Sequence, residues 1–329
     1  MEKIIALANK VLAGQDITKE EAEFLINVSD EDTMVLLSMA DKIRQKFAGN
    51  KVDCCAIINA RSGKCSENCK FCAQSAHYHT GVKEYALLDE EELFNAAKKA
   101  KEAGAVRFSI VTSGRGQSKA DDFANICKTL KRIKSELQIE VCASLGILTL
   151  EQAKALKEAG VTRYHSNLET AGSHFPDICT THTYEDKFVT IKNAQAAGLR
   201  VCSGGIFGLN ETPEQCVEMA FTLKELGIDS VPLNLLTPIP GTPFENNKRL
   251  EPMEILRAYA VYRFILPHAQ IRTAGGREVN LRDLQALALN GGASGIMIGG
   301  YLTTAGRGTE KDMQMLKDLK RERSTPVLD

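Results

Sequence analysis

The chain has 329 residues, enough to bury a large core, and its charge is balanced, with 41 basic and 42 acidic side chains. This balance gives no bulk attraction to nucleic acid or to a membrane surface. Hydrophobic residues make up 43% of the chain, but no apolar run approaches the roughly 18 residues of a membrane-spanning helix. The start, MEKIIALANKVLAGQDITKEEAEF, has acidic residues and no small-residue cleavage site. We therefore expect no signal peptide, and a cytoplasmic protein whose ten cysteines stay reduced.

The first 48 residues predict helices that precede the main domain. Residues 29–47, SDEDTMVLLSMADKIRQKF, repeat their apolar side chains at the spacing of an amphipathic helix. We assign residues 1–48 to an N-terminal helical extension and residues 49–329 to the main domain, which ends in a C-terminal helix.

One pattern then recurs along the main domain. In KKAKEAGAVRFSIVT (98–112), KALKEAGVTRYHSNLET (154–170) and LKELGIDSVPLNLL (223–236), an amphipathic helix ends at a glycine and a short β-branched strand follows. Glycine suits a helix end because it adopts the left-handed conformation without a steric penalty. Alternation of helices and strands at this spacing is typical of parallel βαβ units.

Eight strands are predicted in this way, near 52–59, 106–112, 138–144, 161–167, 200–206, 229–235, 269–274 and 293–298. TLEQ at 149 and TPEQ at 212 read as capping boxes that begin the intervening helices. Eight βα units predict a (β/α)8 barrel of the TIM type. An open doubly wound sheet is the alternative, but no phosphate-binding G-x-G-x-x-G follows the first strand.

Three cysteines lie in the loop after the first predicted strand, in the motif C-x3-C-x2-C: Cys65, Cys69 and Cys72. The loop belongs to the carboxyl end of the barrel, where active sites gather. A structural zinc site has four closed ligands on paired arms, so this spacing suits zinc poorly. It suits a [4Fe-4S] cluster with three thiolates and one open iron. The motif by itself leaves a zinc site or a metal-free loop open.

Six blocks of sequence, from this loop to the end of the chain, carry a family resemblance. The loop reads NARSGKCSENCKFCAQSAHYHTG, with Phe71 just before the last cysteine. TTHTYEDK, RVCSGGIFGLNET, SVPLNLLTPIPGTPF, IRTAGGREVNLR and GYLTTAG follow in order. Together they resemble the biotin synthase family of the radical S-adenosylmethionine superfamily.

The resemblance implies a sulfurtransferase that converts dethiobiotin to biotin. It implies a [4Fe-4S] cluster on Cys65, Cys69 and Cys72, S-adenosylmethionine at the open iron, and an auxiliary cluster, [2Fe-2S] in the family, as sulfur donor. It also implies a homodimer and a reductase such as flavodoxin or ferredoxin, with no nucleic acid or membrane partner.

The ligands of the auxiliary cluster match the family except at one position. Cys142, Cys202 and Arg272 correspond to family ligands, but Ser109 stands where the family has a further cysteine. A hydroxyl is a hard donor with a high pKa, whereas iron–sulfur clusters favour thiolates. Ser109 is therefore a weak candidate, and the nuclearity of this cluster stays open.

Cys55 is our candidate for the missing ligand. Side chains alternate faces along a strand, so Cys55 points into the barrel with Ile57 and Asn59 while Cys54 points outward. Inward side chains form layers contributed by alternate strands. Cys55 lies on predicted strand 1, and the three matched ligands lie on strands 3, 5 and 7. A small apolar residue packed in the core remains the alternative for Cys55. We interpret Cys54, Cys127, Cys179 and Cys216 as packing or surface thiols.

The resemblance also implies the groups that bind the two small molecules. Glu169 would accept hydrogen bonds from the ribose, and Gly205, Ile206 and Gly208 would lie near adenine. Lys187 would pair with the methionyl carboxylate, although arginine is usual there and lysine lacks its fork. Asparagine both donates and accepts, so Asn167 and Asn234 suit the urea group of dethiobiotin. His165 stands where the family has a third asparagine.

Two rival interpretations remain at this stage. One is another radical enzyme of similar fold, such as a hydrogenase maturase, whose barrel also carries additional cysteines. The other is an iron–sulfur electron carrier or zinc-stabilised scaffold without enzymatic activity. Such proteins are usually short and have complete ligand sets, whereas this chain has three cysteines at the mouth of a large predicted barrel.

Overall fold

Three helices precede the first strand in the computed structural model, which describes residues 1–117 and 119–327. They are α1 (Glu2–Leu12), α2 (Lys19–Ile26) and α3 (Asp30–Phe47). Thr18 begins α2 with a capping box to Glu21. The apolar faces of these helices are buried, and α3 packs against α10 (Pro252–Ile265) of the main domain. No helix in the described ranges is long and apolar enough to span a bilayer.

Eight parallel strands close into a barrel, which confirms the (β/α)8 prediction. In barrel order they are β1 (Lys51–Arg61), β2 (Arg107–Thr112), β3 (Glu140–Ser144), β4 (Arg163–His165), β5 (Arg200–Cys202), β7 (Ser230–Leu235), β8 (Gln270–Thr273) and β9 (Gly295–Met297). The last strand pairs with the first, since Cys55 lies opposite Met297. This closure excludes the open sheet. A short β10 (Glu322–Arg323) pairs with the start of β1, outside the barrel.

Helices cover the barrel between the strands. They are α4 (Glu90–Glu102), α5 (Ala120–Leu137), α6 (Leu150–Glu158), α7 (Phe175–Ile178), α8 (Tyr184–Ala196), α9 (Pro213–Glu225), α10, α11 (Arg277–Leu281), a 3-10 turn (Arg282–Leu284), α12 (Gln285–Asn290) and α13 (Thr309–Asp318). Capping boxes at Thr149 and Thr212 begin α6 and α9, as the sequence predicts.

The sequence predicts one continuous fifth strand over 200–206. That prediction was wrong, because the strand is interrupted. β5 ends at Cys202, and β6 (Gly205–Phe207) begins after a break and pairs with β7 alone. At the break the backbone of Gly204 approaches Pro232 so closely that a Cβ would lie 1.9 Å from the Pro232 carbonyl oxygen. Two consecutive glycines permit this approach and weaken the strand.

Charged side chains fill the amino end of the barrel. Register pairs Arg107 with Glu140, and Asp53 lies on the same face of β1 two residues before Cys55, the register partner of Arg107. Arg107 pairs with Asp53 at 2.8 Å and also with Glu140, and all three are nearly inaccessible to water. Arg272, from β8, donates to the same Asp53. This buried ionic layer closes one end, so the other end holds the cavity.

Candidate functional site

A cavity of about 410 Å³ opens at the carboxyl end of the barrel. Its loop and helix side includes Cys65, Cys69, Phe71, Cys72, Glu169 and Lys187. Its strand side includes Cys55, His165, Asn167, Cys202, Asn234 and Arg272. The volume is that of a site for small organic molecules. Most of the candidates from sequence therefore share one cavity.

The cysteine loop is folded back on itself by backbone hydrogen bonds. Cys65 N donates to Gln74 O at 3.0 Å, and Ala76 N donates to Cys65 O at 2.8 Å. Cys72 N donates to Cys69 O at 3.0 Å, which makes a tight turn between these two ligand candidates. Burial raises the pKa of Cys72 to about 11. Three half-buried thiols in one loop suit a metal or cluster, whose positive charge would stabilise their thiolates.

A fourth thiol, which our sequence interpretation assigned to packing, contacts this group. Cys69 Sγ lies 3.7 Å from Cys179 Sγ, and Cys179 Sγ lies 3.3 Å from His182 Nδ1. The hydrogen bond from Cys69, together with His182 and Thr181, lowers the pKa of Cys179, and the same hydrogen bond raises that of Cys69. The C-x2-H spacing of Cys179 and His182, typical of one arm of a metal site, is the signal that could have revealed them.

Deeper in the cavity, the two adjacent cysteines of β1 separate as predicted. Cys55 lies on the inner face with Ile57 and packs near Met297, whereas Cys54 is part of the core between the barrel and its helices. Burial raises the pKa of Cys55 to about 12, even though Arg272 lowers it. A thiol in this setting needs a metal to become a thiolate.

Cys142 and Ser109 are neighbours on the inner faces of β3 and β2, where they are paired in register. Both are buried, and neither lines the cavity among the residues that the structure describes. Within residues 1–117 and 119–327, Ser109 Oγ has no hydrogen-bond partner. Burial of a hydroxyl without a hydrogen-bond partner costs free energy. At this end of the barrel interior the protein therefore leaves part of the hydrogen-bonding capacity of its polar groups unused.

His165 turns toward thiols. It is paired in register with Cys202 and interacts with Cys142 and Cys202, while its Nε2 has no hydrogen-bond partner in the part of the chain that the structure describes. Burial disfavours a charged imidazole, but the Cys202 thiolate and the contact with Cys142 raise the pKa of His165 to about 9. Burial opposes the Cys202 thiolate in turn, but His165 and Arg272 lower the pKa of Cys202 to about 6.

Arg272 is held in place by a residue that sequence reasoning missed, Asp53. The guanidinium donates to Asp53 and, at 3.1 Å, to Ser230 Oγ, and its Nη1 lies 3.8 Å from Cys202 Sγ. Its Nε has no hydrogen-bond partner among the described residues. Although burial opposes a charged carboxylate, Arg272 and Arg107 hold the pKa of Asp53 well below its usual range. Arg272 thus brings a fixed positive charge to the thiols.

Glu169 lies in the loop after β4 and has a strained backbone conformation, with a φ of 71°. Its carbonyl accepts from Ile206 N at 2.8 Å, and its carboxylate accepts from Asn167 Nδ2 at 3.4 Å. Burial raises the pKa of Glu169, although Lys187 lowers it. Strain of this kind is retained at functional sites when the surrounding structure enforces it.

The remaining candidates divide into lining and supporting residues. Asn234 lines the cavity. Its Nδ2 donates to Gly205 O at 3.3 Å, and its Oδ1 accepts from Gly275 N at 3.0 Å. Ile206 lines the cavity, but Gly205 and Gly208 do not do so within the described chain. Gly208 N donates instead to a carboxylate oxygen of Glu211 at 2.8 Å. These two glycines shape the loop behind the cavity.

Comparisons with known proteins identify the family of the chain. The Radical SAM superfamily profile matches residues 60–223, and the Biotin and Thiamin Synthesis associated domain matches residues 232–322. Biotin synthase of Carboxydothermus hydrogenoformans is 51% identical over 318 residues, which cover 96% of this chain and 98% of that protein. Biotin synthase of Geobacter sulfurreducens is 52% identical over 314 residues, 95% of each chain.

Solved structures share the fold at low identity. Methylornithine synthase superposes with a TM-score of 0.85 at 20% identity and covers 97% of both chains. The FeFe-hydrogenase maturase HydG of Carboxydothermus hydrogenoformans gives a TM-score of 0.83 at 19% identity, covering 99% of this chain and 80% of that one. The maturase alternative therefore has support from the fold alone. The chain is identical to these two biotin synthases at about half of all positions over nearly its full length. It therefore belongs to the biotin synthase family of radical S-adenosylmethionine enzymes, which insert sulfur.

Proposed function

We propose that this enzyme converts dethiobiotin to biotin with Cys65, Cys69 and Cys72 as the ligands of its [4Fe-4S] cluster. The observation that carries the proposal is that these cysteines line the same cavity as a second, deeper group of thiols. A radical enzyme that inserts sulfur needs both groups beside one substrate.

The chemistry that the first cluster supplies when bound is one-electron cleavage of S-adenosylmethionine to methionine and a 5′-deoxyadenosyl radical. The protein's part is to bind, orient and exclude water. Lys187 would pair with the methionyl carboxylate, and Glu169 would accept from the ribose hydroxyls. Ile206 and Phe71, which pack against one apolar cluster, would shield the adenosyl group.

The sulfur comes from an auxiliary cluster, which is consumed as a substrate. We assign its thiolate ligands to Cys55, Cys142 and Cys202, with Arg272 beside them. The partnerless Ser109 Oγ, His165 Nε2 and Arg272 Nε support a polar occupant in this interior. Ser109 stays the weaker ligand candidate because its oxygen is a harder donor than sulfur.

Dethiobiotin would lie between the two thiol groups. Asn167 and Asn234 line that part of the cavity and keep capacity for the urea, since an amide has two N–H groups and two oxygen lone pairs. His165 interacts with Cys142 and Cys202. It is therefore a weaker candidate for binding the urea than either asparagine. The electron would come from a reductase such as flavodoxin or ferredoxin, and the assembly would be a homodimer.

The test is anaerobic turnover of the reconstituted full-length enzyme with a reductant, S-adenosylmethionine and dethiobiotin. We expect biotin and 5′-deoxyadenosine in the wild type and neither in a variant with Cys65, Cys69 and Cys72 all changed to alanine. Cys127→Ala, which alters a helix thiol away from the cavity, is the matched control. Cleavage of S-adenosylmethionine by the triple variant would refute the ligand assignment, and cleavage without biotin in the wild type would refute the substrate.

A further inference from the structure

Cys179 has no role in the function proposed above, yet it is the thiol that contacts a cluster ligand. It follows the short helix α7, where its backbone N–H donates to Phe175 O at 3.1 Å. Only 4% of the residue is exposed, and its Sγ lies 3.7 Å from Cys69 Sγ. This separation is within the range of a hydrogen bond between sulfur atoms.

A polar frame holds Cys179 in this position. Its Sγ lies 3.3 Å from His182 Nδ1 and 3.4 Å from both Thr181 Oγ1 and Asn68 Oδ1. Glu67 binds two members of the frame, because its Oε2 accepts from Thr181 Oγ1 at 2.9 Å and from His182 Nδ1 at 2.6 Å. Because Glu67 and Asn68 belong to the cysteine loop, the frame ties residues 179–182 to the cluster ligands themselves.

A separate metal ion is one possible use of these groups. Donor atoms of Cys69, Cys179 and His182 all lie within 4.8 Å of one another. In the loaded enzyme, however, Cys69 is committed to the cluster, and Nδ1 of His182 donates to Glu67. Cys179 is then left with no complete ligand set around it, whereas zinc needs three or four protein ligands.

The position of the proton follows from the ligation. A cysteine that binds iron is a thiolate and accepts hydrogen bonds. In the iron-free protein Cys69 donates to Cys179, but a Cys69 thiolate that holds iron can only accept, so the direction of the hydrogen bond reverses and Cys179 becomes the donor. Hydrogen bonds to the sulfurs are one of the factors that set the reduction potential of an iron–sulfur cluster. A donor stabilises the more negative, reduced state more than the oxidised one.

We propose that Cys179 is a positioning residue that donates its thiol hydrogen to Cys69 and makes the S-adenosylmethionine-binding cluster easier to reduce. The inference rests on the proposed assignment of Cys69 to that cluster. It makes the frame of Glu67, Thr181 and His182 part of the machinery that controls electron entry.

The test is a redox titration of the reconstituted full-length enzyme, monitored by electron paramagnetic resonance. The cluster signal is identified by its change on addition of S-adenosylmethionine. We expect Cys179→Ala to shift its midpoint potential to more negative values with unchanged iron and sulfide content. Cys179→Ser, which keeps a donor, should recover part of the shift, and Cys127→Ala should leave the potential unchanged.

A second readout does not depend on the potential. Electron–nuclear double resonance should detect an exchangeable proton coupled to the wild-type cluster, and Cys179→Ala should lose that coupling. An unmoved potential, an unchanged coupling or a loss of cluster iron in Cys179→Ala would each overturn the inference, the last because it would make Cys179 a ligand. If the wild type shows no signal that responds to S-adenosylmethionine, the proposed function itself fails.

Discussion

At the scale of the residue, Cys54 and Cys55 show how one peptide step changes the chemistry of a thiol. Both are buried, but Cys54 packs between the barrel and its helices while Cys55 faces the cavity with Cys202 and Arg272. The difference comes from strand alternation, which turns successive side chains to opposite faces. Cys54 therefore serves as a matched control for Cys55.

We expect Cys55→Ala to lose the iron and sulfide of the auxiliary cluster and with them biotin formation, because a thiolate ligand is removed. Cleavage of S-adenosylmethionine should persist, since Cys65, Cys69 and Cys72 are intact. Iron and sulfide analysis after anaerobic reconstitution measures the first effect, and 5′-deoxyadenosine formation measures the second. Cys54→Ala should keep both clusters and cost only about 1 kcal/mol of unfolding free energy. Full auxiliary iron in Cys55→Ala would remove Cys55 from the ligand set.

At the scale of the element, the break between β5 and β6 positions the groups around the proposed adenosyl site. The backbone of Gly204 lies against Pro232, and Gly204 O accepts from Glu169 N at 3.1 Å. Ile206 N then donates to Glu169 O, so that the start of β6 holds the strained residue from both sides. A regular fifth strand could not make these contacts with the loop after β4.

Gly204→Ala tests this element. The new methyl group would meet the Pro232 carbonyl at 1.9 Å, and backbone on both sides leaves little room to move. Overpacking of this kind costs about 1–3 kcal/mol, so the urea midpoint of the full-length protein should fall. Gly300→Ala is the control, because its Cβ would meet no atom closer than 4.0 Å. Equal midpoints for the two variants would show that the break adapts freely.

At the scale of the whole molecule, a buried ionic layer fills the amino end of the barrel. The same layer holds Arg272, which reaches the candidate site. Asp53 on β1 pairs with Arg107 on β2 and with Arg272 on β8. β1 pairs with β2 on one side and with β9 on the other, and β9 separates β1 from β8, so the carboxylate links the first strands to the last. Arg272 extends from this layer toward Cys202.

Asp53→Asn should lower the free energy of unfolding by about 3–5 kcal/mol, because removal of one partner leaves buried charges uncompensated. The pKa of Asp53 is depressed in the folded protein, so its stabilisation is complete above the ordinary carboxyl pKa, near 4, and is lost as the pH falls further. The difference between variant and wild type should therefore be full at pH 7 and shrink in acid.

The surface pair of exposed Asp16 and half-buried Lys224 supplies the matched control for this prediction. Asp16→Asn should cost less than about 1 kcal/mol, because exposed ion pairs are weak. Urea titrations of both variants at neutral and acidic pH make the comparison. A pH-independent difference for Asp53→Asn would contradict the electrostatic origin of the effect.

Features that depend on short stretches of chain were predictable from the sequence alone. Repeated helix–glycine–strand units predicted the barrel, capping boxes placed α6 and α9, and the position of Cys65, Cys69 and Cys72 after the first strand predicted that they lie at the carboxyl end of the barrel, where they line the cavity. Alternation along a single strand separated Cys55 from Cys54. Each of these depends on local periodicity, which the order of residues records directly.

Contacts between distant segments were decided only by the tertiary structure. Cys179 approaches Cys69 across 110 residues, and Arg272 reaches Asp53 across 219. His165 turns toward Cys142 and Cys202, and strand five breaks against Pro232. These features depend on how the barrel closes and how its strands are staggered, which sets the distances between inner side chains. Local sequence periodicity specifies the face of a strand on which a side chain lies, but closure of the barrel decides which residue it meets.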